Sequence, residues 1–220
     1  MARPSPPAPP PPTLVLLVRH GQTPTTGKVL PGRTAGLHLA DKGREQAETV
    51  AGRIAALQTD KRKVAAVYAS PLERTRETAA PIGKALGLRV RRLQGLLEAD
   101  FGDWTGAELR ALYKKPEWRT VQRNPSGFRF PGGESFTEMQ ARICTAIDRL
   151  RAEHPGETVV AVSHADPIKA AVAHAMGTHL DLFQRIVVSP CSVSAVLYGV
   201  DGPIVLAVNS TGELTALAPS

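Results

Sequence analysis

The chain has 220 residues, 42% of them hydrophobic and 21% charged, enough for one globular domain that buries roughly 70% of its unfolded surface with no need of staples. Its two cysteines, Cys144 and Cys191, show neither metal-ligand spacing nor a disulfide framework, which suits a reducing compartment. The net charge of +7 raises nucleic acid as a partner, but lysines and arginines are scattered and no basic run alternates with aromatics. An enzyme for anionic substrates accounts for the excess as well.

The opening M-A-R-P-S-P-P-A-P-P-P-P lacks the apolar stretch of a signal peptide, and the apolar run after it is too short to span a bilayer. A soluble, cytoplasmic protein is expected. Residues 1–12 read as a polyproline-like, disordered tail, residues 13–210 as the folded domain and residues 211–220 as a C-terminal tail. A proline-reading partner for the first tail is the alternative to a dispensable extension.

Leu14 to Val18 is a continuous apolar run that predicts a strand covered on both faces, and it stops abruptly at Arg19-His20-Gly21. In open α/β sheets ligands bind beyond the carboxyl ends of strands, and a glycine there lets the backbone turn and approach a ligand closely. Arg19 and His20 are therefore candidate ligand contacts. Ala47, Val50, Ala51, Ile54 and Leu57 are spaced as one face of a helix, and Val64 to Ala69 is a second strand. Ser70, Pro71 and Glu73 have the pattern of a capping box opening a helix that presents Leu72, Thr75, Ala79, Ile82 and Leu86 and ends at Gly87. That places Arg74 near the end of the second strand.

Leu88 to Leu93 reads as a charged edge strand leading to Glu98 and the loop A-D-F-G-D-W-T-G, with Thr105 and Glu108 opening another capped helix. From Tyr113 to Gly133 the pattern is irregular, with Lys114, Lys115, Arg119, Arg123 and Arg129 among Trp118, Phe128 and Phe130. It fits a lid over a site or a plain surface excursion. Ser135 and Glu138 open a long helix that stops at Pro155-Gly156. Thr158 to Val162 is a third strand ending at Ser163-His164, and Pro167 stands at the start of the next helix. Val193 to Tyr198 and Ile204 to Val208 form a hairpin closing the sheet. This alternation argues a three-layer α/β domain with a mixed sheet.

Taken singly, Arg74 fits a helix-surface charge, His164 a strand-end histidine and Glu98 a loop carboxylate. Their shared placement at one sheet edge points to chemistry. Two histidines and two arginines suit phosphoryl transfer without metal: a neutral imidazole attacks phosphorus, giving a phosphohistidine. Guanidiniums hold the non-bridging oxygens, and a protonated carboxyl serves the departing alkoxide. Zinc ligation by His20 and His164 lacks a third ligand at a recognisable spacing.

The segments L-V-R-H-G-Q-T, S-P-L-E-R-T-R-E-T-A, L-L-E-A-D-F-G-D-W-T-G, P-G-G-E-S and V-S-H-A, in this order, resemble the phosphoglycerate-mutase-like branch of the histidine phosphatase superfamily. The resemblance runs from Leu14 to the final strand. It implies a three-layer α/β/α sandwich with a mostly parallel central sheet, filling residues 13–210. It makes His20 the phosphorylated nucleophile and Glu98 the proton donor. Arg19 and Arg74 become phosphate ligands together with His164, and Gln22 and Thr23 wall the pocket. It also implies no metal or other cofactor and a small phosphorylated metabolite as partner, with neither nucleic acid nor membrane, and leaves the oligomeric state open.

Two positions depart from the family pattern. Thr26 stands where many members have asparagine, and Ala165 replaces the glycine after the second histidine. A phosphomutase of the same family shares every residue named. Glu98 and His164 are 66 positions apart, compact beside the longer insertion that mutases of the family usually carry, which leans towards hydrolysis. The alternative of another class is a non-catalytic phosphate-binding module that uses the proline tail as its contact.

Overall fold

Strand β1 (Thr13–Arg19) lies inside the sheet and is buried almost throughout. The structure, a computed structural model, describes residues 10–59 and 63–214. With β2 (Val64–Ala69), β3 (Val90–Arg92), β4 (Thr158–Ser163), β5 (Val193–Gly199) and β6 (Gly202–Ser210), β1 forms a six-stranded sheet of order β3-β2-β4-β1-β5-β6. The first four strands of that order run parallel, and the hairpin β5-β6 joins β1 antiparallel.

The two faces of β1 explain why its apolar run is unbroken. Leu14, Leu16 and Val18 pack with α1 (Asp41–Ala55) and α2 (Glu73–Leu86). Val15 and Leu17 join the opposite core with α5 (Phe136–Glu153) and α6 (Ala165–Ala175). The period-two alternation of a strand divides these residues between two helix layers. The α/β/α sandwich with a mostly parallel sheet is therefore present. Two short helices, α3 (Leu109–Leu112) and α4 (Pro116–Arg123), lie in the connection between β3 and α5.

Several local expectations hold in detail. Ser135 Oγ accepts from the Glu138 backbone N–H while the Glu138 carboxylate accepts from Ser135, a reciprocal capping box at α5. Gly87 ends α2 in the left-handed conformation, φ 67°, bonding Gly83 and Lys84 carbonyls. The charged segment before Glu98 is a three-residue edge strand.

Others do not hold. α2 starts at Glu73 with Leu72 before it and no side-chain cap, so Ser70 is not the cap its spacing suggested. Its hydroxyl is taken by a histidine ring from β4's end, and tertiary pairing overrides the local motif. Thr105 likewise opens no helix: it closes a single 3₁₀ turn over Gly102–Trp104, and the α3 that follows Glu108 is only one turn long.

The proposed tail lies mostly outside the described residues, over 1–9, while Pro11 packs against Gly156. Beyond β6, Leu214 is buried in the α1/α2 core, and residues 215–220 are outside the described ones. Among the described residues no helix is long and apolar enough to cross a membrane. Cys144 and Cys191 are free thiols.

Candidate active site

Strand register brings the site together. Arg19 pairs with Ser163 across the β1-β4 ladder, and the His20 N–H donates to the Ser163 carbonyl at 3.0 Å, so His20 and His164 leave neighbouring strands at one level. The Ser70 N–H donates to the Val162 carbonyl at 3.0 Å, bringing the end of β2 to the same level on the other side of β4. All three lie at the carboxyl edge of the parallel strands. The turn after β1 is held by backbone contact: a Cβ on Gly43 would sit 2.0 Å from the Gln22 carbonyl oxygen, and one on Gly21 2.5 Å from the Gly43 oxygen. Only glycines permit that approach between the His20 loop and α1.

His20 is 5% exposed and its ring centroid is 5.2 Å from that of His164. Its Nδ1 lies 2.7 Å from the Gly21 carbonyl, which can only accept, so Nδ1 carries the proton and Nε2 presents a lone pair. Burial, then Arg74 and Arg19, hold the His20 imidazole well below its usual range and keep it neutral. His164 is fully buried and shifted downwards too, first by burial, then by Arg74, His20 and Arg19. Its Nε2 bonds the Ser70 hydroxyl at 2.9 Å, and its buried Nδ1 has no hydrogen-bond partner.

Arg74 is wholly buried. One terminal nitrogen donates to the Gly32 carbonyl at 2.7 Å, while Nε and Nη1 are unpartnered. Arg19 donates from Nη1 to the Val188 carbonyl at 2.7 Å and also has a buried, unpartnered Nε.

Glu98 Oε2 stands 3.9 Å from His164 Nδ1, and Oε1 accepts from the Ala99 N–H at 3.0 Å. Burial, helped by the Asp166 carboxylate and opposed by Arg74, pushes the Glu98 carboxyl up to about 7. Its loop is clamped from behind. Arg33 and Arg142 both donate to the Glu98 carbonyl, Arg142 also to the Gly95 and Leu97 carbonyls, and Glu134 receives both arginines and the Asp100 N–H.

Arg19, His20, Thr23 and Glu98 line one cavity of about 290 Å³, together with Thr26, Trp118, Gln122, Asp166, Lys169 and Gln184. Gln22 is not among the lining residues. Its backbone N–H donates to Gln46 Oε1 and its carbonyl accepts from the Ala40 N–H, which ties the turn to α1 and the residue before it. Thr26, at the family's asparagine position, accepts from the Thr23 N–H at 2.8 Å and meets the Thr23 hydroxyl at 3.0 Å. The connection from Tyr113 to Gly133 does reach the site, but through Trp118 and Gln122 of α4. Lys114, Lys115 and Arg119 are exposed and line no part of the cavity. The aromatics of this stretch turn inwards, Phe128 and Phe130 packing on Trp104.

Sequence reasoning missed Arg33, Arg142, Asp166 and Lys169. A legible signal existed for the last two, an acid and a base three apart in the helix that follows His164. Arg33 and Arg142 are far apart in sequence and had none. Among the described residues no group of three His, Cys, Asp or Glu side chains is placed to hold a metal ion.

A family model described as the histidine phosphatase superfamily (branch 1) matches residues 15–211. Phosphoserine phosphatase 1 of Hydrogenobacter thermophilus is 30% identical over 205 residues, covering 91% of this chain and 93% of that protein. The chain belongs to the histidine phosphatase superfamily. A Mycobacterium tuberculosis protein described as bifunctional is 33% identical over 205 residues, 92% of this chain but 55% of its own length, so the chain spans about half of that relative. Two solved structures share the fold. The mycobacterial glucosyl-3-phosphoglycerate phosphatase has a TM-score of 0.79 at 24% identity, covering 91% of this chain and 100% of that one. Phosphoserine phosphatase of Entamoeba histolytica, solved with 3-phosphoglyceric acid, has a TM-score of 0.79 at 24% identity, covering 90% and 98%.

Proposed function

We propose that the protein is a metal-independent phosphomonoesterase that hydrolyses a small phosphorylated metabolite through a phosphohistidine on His20. One observation carries this reading: three buried guanidinium donors, Arg19 Nε and Arg74 Nε and Nη1, and the buried His164 Nδ1 lack hydrogen-bond partners, while both arginines act on a neutral His20 whose ring lies 5.2 Å from that of His164. Buried donors left unpaired are costly, and a phosphoryl group offers oxygens to all of them.

In this mechanism His20 Nε2 attacks phosphorus. The P–N bond forms as the ester P–O bond breaks, and the Glu98 carboxylic acid gives its proton to the leaving alkoxide. The two arginines neutralise the equatorial oxygens. His164, with the Ser70 hydroxyl donating to its Nε2, turns an Nδ1–H towards them. The Glu98 carboxylate then takes a proton from water, whose oxygen attacks phosphorus. The P–N bond breaks, inorganic phosphate leaves and both residues return to their starting states. Relatives named phosphoglycerate-mutase-like and probable phosphoglycerate mutase keep the phosphomutase reading as the alternative, in which the phosphohistidine passes to a second alcohol instead of water.

Quenching during turnover is expected to trap phosphate on His20, stable to base and labile to acid, with His164 unmodified and activity retained after exhaustive chelation. His20→Ala is expected to lower kcat by about three orders of magnitude with the fold intact. A folded His20→Ala protein with near-normal turnover would show that water attacks directly. Loss of activity on chelation with recovery on added zinc would overturn the metal-independent route.

A further inference from the structure

Beyond the phosphate end, the charged groups that line the cavity of this protein are already paired with each other. The cations in its lining are Arg19, which belongs to the phosphate end, and Lys169. Lys169 Nζ donates to Asp166 Oδ1 at 3.2 Å and to Gln184 Oε1 at 3.1 Å, and the side chains of the pair are only 17% and 19% exposed. Gln184 comes from the 3₁₀ segment Leu180–Arg185, so the ammonium is held from two elements. Elsewhere the lining includes apolar side chains, among them Leu109 and Trp118, and the neutral hydrogen-bonding groups of Thr26 and Gln122.

We infer that the substrate is a phosphate ester of an alcohol that carries no charged group and has an apolar ring face with neutral hydroxyl or amide substituents. This deepens the proposed function and rests on it for the phosphate end. A carboxylate or second phosphate on the alcohol would stand close to the Asp166 carboxylate and have to share an ammonium that already donates to Asp166 and Gln184, so it meets repulsion and at best one remaining N–H. That arrangement is penalised. A neutral ring avoids this cost, and it gains contact with Trp118. The exposed Lys114, Lys115 and Arg119 offer no compensation inside the cavity.

Non-hydrolysable ligands separate this inference from the catalytic one. Calorimetric titration of the full chain would compare benzylphosphonate and 4-(hydroxymethyl)benzylphosphonate with 4-carboxybenzylphosphonate and the phosphonate analogue of phosphoserine. The two neutral ligands are expected to bind about tenfold or more tightly than the charged ones. Asp166→Asn frees Lys169 and is expected to close most of that gap for the carboxylated ligand, whereas Lys169→Met widens it.

Equal or tighter binding of the carboxylated ligand overturns the inference. Preferred binding of the phosphoserine analogue overturns it too, by making the Asp166–Lys169 pair a reader of zwitterions. An unchanged ratio in a folded Asp166→Asn protein removes the pair from selection. Should that variant not fold, the ligand series on the unaltered chain decides alone. Turnover of the matching esters tests the catalytic reading separately: selective binding without hydrolysis sinks that reading only, hydrolysis with a preference for acidic esters sinks this one only, and no binding of any phosphonate sinks both.

Discussion

A carboxyl group that protonates near neutrality is suited to hand a proton to an alkoxide and then receive one from water, and Glu98 is placed for that exchange. Its upward shift to about 7 comes first from burial and then from Asp166. Below that pH the group is mostly the acid, and above it the acid is lost about tenfold per pH unit, so kcat/KM for alkyl phosphates is expected to fall as pH rises through about 7. His20 and His164 are shifted the opposite way, well below 6.5, and stay neutral through the mildly acidic range. No acid limb from His20 is therefore expected near pH 6. Glu98→Gln is expected to slow alkyl esters far more than p-nitrophenyl phosphate, because nitrophenolate leaves without a proton, and to remove the basic limb. Equal slowing of both esters, or an unchanged limb in pH–rate profiles, would take Glu98 out of this role.

The candidate catalytic side chains are set by contacts between elements. The His20 turn rests directly on the first turn of α1, glycine against backbone, with Gly21 also donating to Thr78 of α2 at 3.0 Å. Gly43→Ala puts a methyl 2.0 Å from the Gln22 carbonyl, a contact that no flexible side chain relieves. Overpacking of this kind costs about 1–3 kcal/mol. For a domain of this size that lowers Tm by about 3–10 °C. Since the displaced backbone carries His20, kcat is expected to fall as well. A Gly43→Ala protein with parental Tm in calorimetry and parental kcat would show that the turn has slack. The loop carrying Glu98 is fixed differently, by Arg33 and Arg142 converging on its carbonyl and on Glu134. The P-G-G-E-S segment thus supports the Glu98 loop through Glu134, while Gly133 lies against the Asp100 carbonyl and Ser135 caps α5.

At the scale of the molecule, the sheet order sets β4 between β1 and β2, so both histidines and Ser70 emerge side by side although they are spread over most of the chain. We place the start of the folded unit at β1 and its end beyond β6, where Leu214 still packs into the core. Removing residues 1–9 is expected to leave Tm within about 2 °C and kcat/KM unchanged, as read by calorimetry and a steady-state assay. A larger drop in either would give the proline-rich segment a part in the domain.

Much of this architecture was legible from local pattern. Unbroken apolar runs marked β1 and β4 because both faces of those strands are covered, and Ser135 with Glu138 marked the start of α5 because that cap closes within one turn. The clustering of Arg19, His20, Arg74 and His164 was legible as well, since each stands at a readable strand end or at the start of the next helix, while Glu98 follows a short turn after β3. What depended on distant partners was not. Ser70 looks like a helix cap until the end of β4 offers it the ring of His164, and the hold of Gln46 and Ala40 on the Gln22 backbone joins segments that spacing does not connect. The basic, aromatic stretch reads equally as a lid or as a surface excursion, and only the fold shows Phe128 and Phe130 in the core, Trp118 at the cavity and Lys114, Lys115 and Arg119 in solvent. The Asp166–Lys169 pair could be read from its spacing of three on one helix, but its place in the cavity and the second hold on Lys169 belong to the tertiary structure alone, because Gln184 reaches it from a separate segment.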